Sequence, residues 1–466
     1  MIFGKMRRLH FVGIGGAGMS GMAEVLADIG YTITGSDIAR SEVTDHLTQA
    51  GIQVAVGHCA ANVGDAHAVV ISSAVSPDNP EVREANQRGI PVIKRAEMLG
   101  ELMRLKFSIG IAGCHGKTTT TALIGHILKE ANADPTVIVG GRLTDASIGA
   151  KIGLGEHMVV EADEFDRSFL VMYPSIAVVT NIDTDHLDCY KDLADLQDAF
   201  VAYVNRTPFY GQVIVNMDDP HTRAILPRVR RTVVSYGVSA DADYQARDIR
   251  VGAGHGEFTL MRRGAPVATI RMPAPGMHNV MNALCAAAVA CELDIPAPEL
   301  SNAIARFPGV LRRFQKQCEV GGRIVFDDYA HHPTEVAAAL KAARAYDRMV
   351  IAIFQPHLFS RTRDFASGFG EALGLADRAI LVDIYPAREQ PIPGVTSELI
   401  VSNAPAAIRH KFRCVGALNN AVSAVLSELP ENALILTLGA GDVYKLCGAI
   451  CAKLSGREGV HAPTRN

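Results

Sequence analysis

Short β-rich runs alternate with helical stretches along the whole chain, the pattern of parallel sheets covered by crossover helices. From RLHFVGI to about residue 105 the later runs are YTITGSD, AVVISSA and IPVIK. A second series starts at FSIGIAG and passes through PTVIVGG, HMVVEAD, SIAVVTNID and GQVIVNM. It ends in a hairpin, GEFTLMRRGAPVATIRM, and in the helices HNVMNALCAAAVACEL and LSNAIARF. After PGVLRRF a third series runs RIVFDDYA, RMVIAIFQP, RAILVDIYP and ALILTLGAG. The expected fold is α/β in three domains: a Rossmann-like N-terminal domain over residues 1–105, a central P-loop-type domain with a parallel sheet over 106–309, and a Rossmann-like C-terminal domain over 310–466. The length of 466 residues agrees, because single hydrophobic cores stop growing well short of it.

Charge and cysteine usage exclude several classes of function. The net charge is -4, and the sequence has no block of Lys or Arg that would draw nucleic acid or an anionic membrane. No apolar run approaches the ~18 residues of a membrane span. The basic start GKMRRLHFVGIGGAGM differs from a signal peptide in its Gly-rich run and the GSD that follows, so it reads as a strand and loop. Nine cysteines, with no Cys-x-x-Cys pair and no framework spacing, argue against disulfides and structural zinc and for a reducing, cytoplasmic setting.

Two glycine loops carry the chemistry. Gly13, Gly15 and Gly18, with Gly16 between them, form G-x-G-x-x-G between a strand and a helix, and Asp37 ends the next strand. Such a loop lets a diphosphate approach backbone N–H groups at a helix N-terminus, and the carboxylate can accept from a ribose hydroxyl. A tight turn or a nicotinamide dinucleotide site is equally open to these residues. The second loop, GIAGCHGKTTTTALIGHIL over residues 110–128, is more specific. Gly113 and Gly116 let the backbone curl around phosphate oxygens, Lys117 supplies a point charge, and Thr118 or Thr119 offers a hydroxyl to Mg2+. The glycine usual five residues before Gly-Lys is Ile111 here. Glu161 in VVEADEFDRSF and His186 in VVTNIDTDHLDCY stand at later strand ends, where a parallel sheet places its ligands.

The ordered set HFVGIGGAGMSG, GCHGKTTTT, EADEFDRSF, TNIDTDHLDCY, GMHNVMNAL, LRRF, DDYAHHPTEV and FQPHLFSRTRDF, from residue 9 to about 445, resembles the muramyl ligases. In that family the phosphate loop is a short G-T-x-G-K-T-T form that binds ATP. The resemblance implies a ligase joining an amine to a muramyl carboxylate through an acyl phosphate. The implied cofactors are ATP and Mg2+ and the implied partners UDP-N-acetylmuramic acid and L-alanine, with the enzyme a monomer or weak homodimer. By resemblance, Gly113, Cys114, His115, Gly116, Lys117, Thr118, Thr119, His278, Asn279 and Asn282 hold ATP, and Thr118, Glu161 and His186 hold the metal. Gly13, Gly15, Gly16, Gly18, Asp37 and Ser73 hold the UDP-sugar. Arg313 and Asp328 are implied catalytic residues with Lys117, Glu161 and His186, and Tyr329, His357 and Arg361 face the amino-acid and muramyl carboxylates. The site would be completed on domain closure. A peptide-adding member of the family would share nearly all of these residues.

Two departures from the family pattern stand out. Phe165-Asp166-Arg167 replaces a small polar residue, Asp and Ala, and Cys114 replaces the loop threonine. A thiol at a helix N-terminus near Lys117 has the surroundings that favour thiolate, whereas a small buried cysteine is inert packing.

Overall fold

The computed structural model describes residues 5–16, 18–72, 74–140, 150–151, 153–184, 189–239, 241–387, 389–427 and 429–456. The first sheet takes β1 (Arg8–Val12), β2 (Thr32–Asp37), β3 (Gln53–Val56), β4 (Ala68–Ile71) and β5 (Val92–Lys94) in the order β3-β2-β1-β4-β5. Every neighbouring pair in it is parallel. Its helices are α1 (Met19–Asp28), α2 (Glu42–Gln49), α3 (Pro80–Gln87) and α4 (Arg95–Met103). The strand order reverses between β1 and β4, and ligands of open α/β sheets bind at such a reversal, beyond the carboxyl ends of the strands. The loop Gly13–Gly18 leaves β1 at that point.

The second sheet comprises β6 (Phe107–Ala112), β7 (Thr136–Ile138), β8 (Ala150–Lys151), β9 (His157–Glu161), β10 (Ile176–Val179), β11 (Gln212–Asn216), β12 (Thr232–Gly237), β13 (Tyr244–Gly252), β14 (His255–Arg262) and β15 (Ala265–Met272). Its order is β15-β14-β13-β12-β11-β10-β6-β9-β7-β8. Strand β6 lies between β10 and β9, parallel to both, and opens into the second glycine loop. The helices are α5 (Lys117–Glu130), α6 (Leu193–Val204), α7 (Pro220–Ile225), α8 (Met277–Glu292) and α9 (Ala297–Ala305). Strand β10, IAVV, is buried at every position, as a parallel strand covered on both faces must be. Strand β14 alternates buried and half-buried residues, the period of a one-sided strand. It turns into β15 through Arg263 and Gly264, at φ +48° and +82°, the two positive angles of a tight hairpin turn.

The third sheet has β16 (Gln315–Val320), β17 (Arg323–Asp328), β18 (Met349–Phe354), β19 (Arg378–Val382), β20 (Phe412–Gly416) and β21 (Ala433–Leu438) in the order β16-β17-β21-β18-β19-β20. Only the β16–β17 pair in it is antiparallel. The helices are α10 (Pro333–Arg344), α11 (Phe359–Asp364), α12 (Ala366–Leu373), α13 (Glu398–Asn403), α14 (Asn420–Leu426) and α15 (Lys445–Leu454).

By compactness the chain forms two units: Met1–Asp248 with Phe258–Ile270 and Met281–Val310, and Ile249–Glu257 with Arg271–Val280 and Leu311–Asn466. The first two sheets are therefore fused in one unit. Phe11, Met19 and Met22 share a single core with Met98, Met103, Phe169 and Tyr203. Gly100 of α4 makes the approach possible, since a Cβ there would lie 2.5 Å from the Val171 carbonyl oxygen.

The cysteine expectation is corrected in the second unit, where Cys318 and Cys451 are joined as a disulfide. The two are 133 residues apart, so no local spacing announces the pair. It arises because α15 packs on edge strand β16 and brings the Cα atoms to 6.1 Å.

Candidate active site

The second glycine loop is held from below by the end of β10. Thr180 Oγ1 and Asn181 Nδ2 donate to the His115 carbonyl at 2.7 and 2.9 Å, and the His115 amide donates to Asn181 Oδ1 at 2.9 Å. Gly113 and Gly116 have φ of +132° and +83°. A Cβ at Gly113 would lie 2.1 Å from Thr180 Oγ1, and one at Gly116 would lie 2.6 Å from Asn282 Oδ1. These glycines are thus demanded by the packing as much as by the turn. No side chain caps α5, so the amides of its opening turn face outward to accept an anion.

Cys114 is 8% exposed, and its Sγ both donates to the Asp183 carbonyl and accepts from the Asp183 amide, each at 3.1 Å. A threonine hydroxyl can make the same pair of bonds. These bonds tie the loop to the Asp183 backbone.

The carboxylates of β9 and the turn after it surround Lys117. Its Nζ lies 2.7 and 3.0 Å from the two oxygens of Glu164 and 3.8 Å from Asp163. Burial opposes its charge, but Glu164 and Asp163 hold its pKa well above the usual lysine range. Glu164 is fully buried, and nothing in the pattern EADEFDRSF singles it out. Only the folded chain shows that this acid, three residues beyond Glu161, turns toward the loop lysine.

Glu161 accepts from the Gly140 amide through Oε2 at 2.7 Å, and the Thr118 hydroxyl donates to the same carboxylate. Its Oε1 is buried with no hydrogen-bond partner among the described residues. Burial raises its pKa, opposed by Thr118, Gly140 and Lys117. A half-satisfied buried carboxylate beside a threonine hydroxyl is an oxygen donor set that suits a hard divalent cation. Of the two candidate threonines, Thr118 is the one at this carboxylate, while Thr119 is buried. His186 lies outside the described residues, as does Ser73.

Helix α8 carries the three residues of GMHNVMNAL. Asn282 faces the loop, with Oδ1 accepting from Thr120 Oγ1 at 3.4 Å. Asn279 donates through Nδ2 to the Pro275 carbonyl at 2.8 Å. His278 has its pKa lowered to about 4 by burial and by Arg313.

At the first glycine loop, the Gly13 and Ile14 amides both donate to the Ser36 carbonyl at 2.8 and 3.0 Å. Asp37 Oδ2 accepts from the Gly15 amide at 2.8 Å, so this carboxylate fastens the loop with one of its oxygens. Gly18, at φ +74°, precedes α1 without any side-chain cap. Arg95, at the start of α4, belongs to no sequence motif; its Nη1 lies 3.0 Å from where a Gly18 Cβ would be. The guanidinium is half-buried and has no hydrogen-bond or ion-pair partner among the described residues.

In the second unit, Asp328 ends β17 with both oxygens engaged: Oδ2 accepts from the Phe314 amide at 2.7 Å and Oδ1 from the Ala330 amide at 2.8 Å. Burial pushes its pKa up to about 6, against the pull of Arg313 and these amides. The neighbouring arginines divide their work. Arg312 bonds Asp327 Oδ2 at 3.1 Å and the Gly439 carbonyl at 2.6 Å. Among the described residues Arg313 reaches only Glu335, at 4.0 Å, and lies 5.4 Å from the Tyr329 ring centroid, which leaves its donors available. His357 stacks on Tyr385 at 5.7 Å and meets His331 edge-on at 6.0 Å. Arg361 is buried on α11, one turn after Leu358, whose φ of +70° is rare outside glycine. That backbone is kept by bonds at both ends, from the Leu358 amide to the Tyr385 carbonyl at 3.0 Å and from Thr362 Oγ1 to the Leu358 carbonyl at 2.7 Å.

A lysine-bearing phosphate loop on a parallel sheet, fused to a second glycine-loop domain and followed by a further α/β unit, defines the architecture of an ATP-dependent ligase. Residues 8–107 match the Mur ligase family catalytic domain, 111–290 the Mur ligase middle domain, and 312–441 the Mur ligase glutamate ligase domain. The chain belongs to the Mur ligase family. It is 47% identical over 460 residues, 98% of this chain and 100% of the relative, to a protein of Syntrophotalea carbinolica named UDP-N-acetylmuramate--L-alanine ligase. It is 46% identical over 447 residues, 96% of this chain and 97% of the relative, to one of the same name from Geobacter sp. strain M21. The crystal structure of UDP-N-acetylmuramate-alanine ligase from Thermotoga maritima matches with a TM-score of 0.81 at 28% identity, covering 97% of this chain and 99% of that one. A murein peptide ligase from Psychrobacter arcticus shares the fold, with a TM-score of 0.70 at 23% identity over 97% of this chain and 100% of that one.

Proposed function

We propose that this chain is an ATP-dependent, ADP-forming ligase that joins L-alanine to UDP-N-acetylmuramic acid in peptidoglycan precursor synthesis. The observation that carries the reading is the meeting of Lys117, Thr118 and the half-satisfied Glu161 at one phosphate loop. Full-length relatives bearing that enzyme name support it. In this reading residues 1–105 take the UDP-sugar, 106–309 take ATP, and 310–466 supply the ligase domain. The cytoplasm, where ATP is at hand, is the proposed setting. Among the described residues no helix is long and apolar enough to cross a membrane.

A carboxylate does not react with an amine directly, because its oxygen is a poor leaving group. Transfer of the γ-phosphoryl of ATP to the muramyl carboxylate gives an acyl phosphate, and the alanine amine then displaces phosphate, so the chain needs no nucleophile of its own. What it must supply is positioning and charge neutralisation. The α5 amides and Lys117 hold the β,γ-phosphates, and preorganised positive charge of this kind is the largest rate term at such sites. Thr118 and Glu161, with His186, would hold Mg2+, which when bound supplies further positive charge to the phosphates. Gly13, Gly15, Gly16 and Gly18, with Arg95 across from them, take the sugar-nucleotide diphosphate, and Ser73 belongs to the same set. Tyr329, His357 and Arg361 serve the muramyl and amino-acid carboxylates, and Arg313 and Asp328 are the catalytic residues that residues 310–466 contribute.

The test is ADP release from the full chain. Release that requires both UDP-N-acetylmuramic acid and L-alanine is expected. Release with UDP-N-acetylmuramic acid and a free tripeptide in place of alanine would assign the peptide-adding activity instead, and release with neither amine would overturn the reading.

A further inference from the structure

We propose that Glu164 is the resting counter-ion of Lys117, so that nucleotide binding is an exchange in which the lysine leaves a buried carboxylate for phosphate. The proposal rests on the reading of Gly113–Thr119 as the ATP loop. Glu164 is fully buried and bonds Lys117 Nζ through both oxygens, at 2.7 and 3.0 Å. An ammonium held in this way is not idle, since an incoming phosphate must outcompete a desolvated carboxylate for it.

The acid cannot follow the lysine, because its turn is fixed from several sides. The Glu164 carbonyl accepts from the buried Tyr190 hydroxyl at 2.6 Å. Asp166 and Arg167, just beyond, both sit in the left-handed region at φ +53° and +56°. Two consecutive non-glycine residues keep such angles only where surrounding contacts impose them. Arg167 supplies those contacts, bonding Asp195 Oδ2 at 2.5 Å and lying 4.7 Å from the Tyr190 ring centroid. The family departure at Phe165-Asp166-Arg167 thus builds the clamp that keeps Glu164 in place. The lysine, on a flexible four-carbon stem, is the partner free to move.

Once Lys117 departs, Glu164, Asp163 and Glu161 together face the anionic nucleotide. Each is a carboxylate, and together they repel it unless a cation arrives with it. The loop therefore discriminates against nucleotide that comes without metal, and Glu164 is the residue that sets this discrimination. It acts on the phosphates through Lys117 and is a positioning residue.

The experiment is calorimetric titration of the full chain with ATP in EDTA and, separately, with ATP in excess Mg2+. Glu164→Gln is expected to tighten metal-free ATP binding ~10-fold or more, as removal of one buried charge competitor would, and to change MgATP binding less than about 3-fold. In a Lys117→Ala background the same substitution should give no gain. Arg167→Ala, which loosens the clamp while leaving the pair intact, should tighten metal-free binding in the same direction, and it keeps the test open if Glu164→Gln fails to fold. Unchanged or weaker metal-free binding in folded Glu164→Gln overturns the exchange, and so does a gain that persists without Lys117. Wild-type protein that binds no MgATP overturns the ATP-loop reading itself.

Discussion

The Phe314 amide donates to Asp328 Oδ2 at 2.7 Å, so the segment carrying Arg312 and Arg313 hangs from the carboxylate that ends strand β17. Because burial raises the Asp328 pKa to about 6, above the ~3.9 of an unfolded chain, the folded state holds the extra proton between those values. Folding stability from this group is therefore greatest below about pH 4 and declines as pH rises to about 6, by about 3 kcal/mol. Asp328→Asn should flatten this part of the stability profile while lowering stability overall, since one of the two amides loses its acceptor. Urea unfolding at pH 4.5 and pH 7 measures both effects. An unchanged difference between the two pH values would assign the proton elsewhere.

At the first glycine loop, Gly15→Val should raise the KM for the UDP-sugar with little change for ATP. The added Cβ would lie 2.9 Å from Asp37 Oδ2 and 3.1 Å from Thr44 Cγ2, so the first casualty is the bond that fastens the loop. Arg95→Ala should act in the same direction without perturbing the fold, since Arg95 has no partner to lose among the described residues. Loss of one charge-assisted phosphate contact is expected to cost ~10-fold or more in that KM. Steady-state kinetics with each substrate varied in turn decides; an effect on ATP alone would reverse the assignment of the two loops.

Glu161→Ala should raise the Mg2+ concentration needed for half-maximal activity by ~10-fold or more. The same change in a His186→Ala background should add little, as for residues sharing one ion. Magnesium titrations of the single and double variants give the result, and an unaltered requirement in Glu161→Ala would place the metal elsewhere.

Cys114→Thr should keep activity and stability close to wild type, since a hydroxyl can both donate to and accept from the Asp183 backbone. Cys114→Val should be less stable by about 1–2 kcal/mol, because the Asp183 amide and carbonyl then lose a partner. Thiol alkylation of the native protein should label the exposed Cys59 before Cys114. Mass spectrometry of briefly labelled protein checks this, and early label on Cys114 would restore the reactive-thiol reading.

The sequence by itself determined what is periodic or contiguous. Near-continuous apolar runs such as IAVV and ALILTL declared strands of parallel sheets, GEFTLMRRGAPVATIRM declared a hairpin, and the two glycine loops announced phosphate sites by their spacing. Lys117, Glu161 and the Gly13–Gly18 loop could be picked out because each sits at a strand end within a local pattern. Tertiary structure decided the pairings between distant segments. Glu164 turning onto Lys117, Arg95 crossing to Gly18 and Cys318 meeting Cys451 join residues 47, 77 and 133 positions apart. Cys114 meets its hydrogen-bond partner in the same way, on an Asp183 backbone 69 residues downstream. Such contacts depend on how helices pack against sheets, and the sequence carries no local periodicity that encodes them.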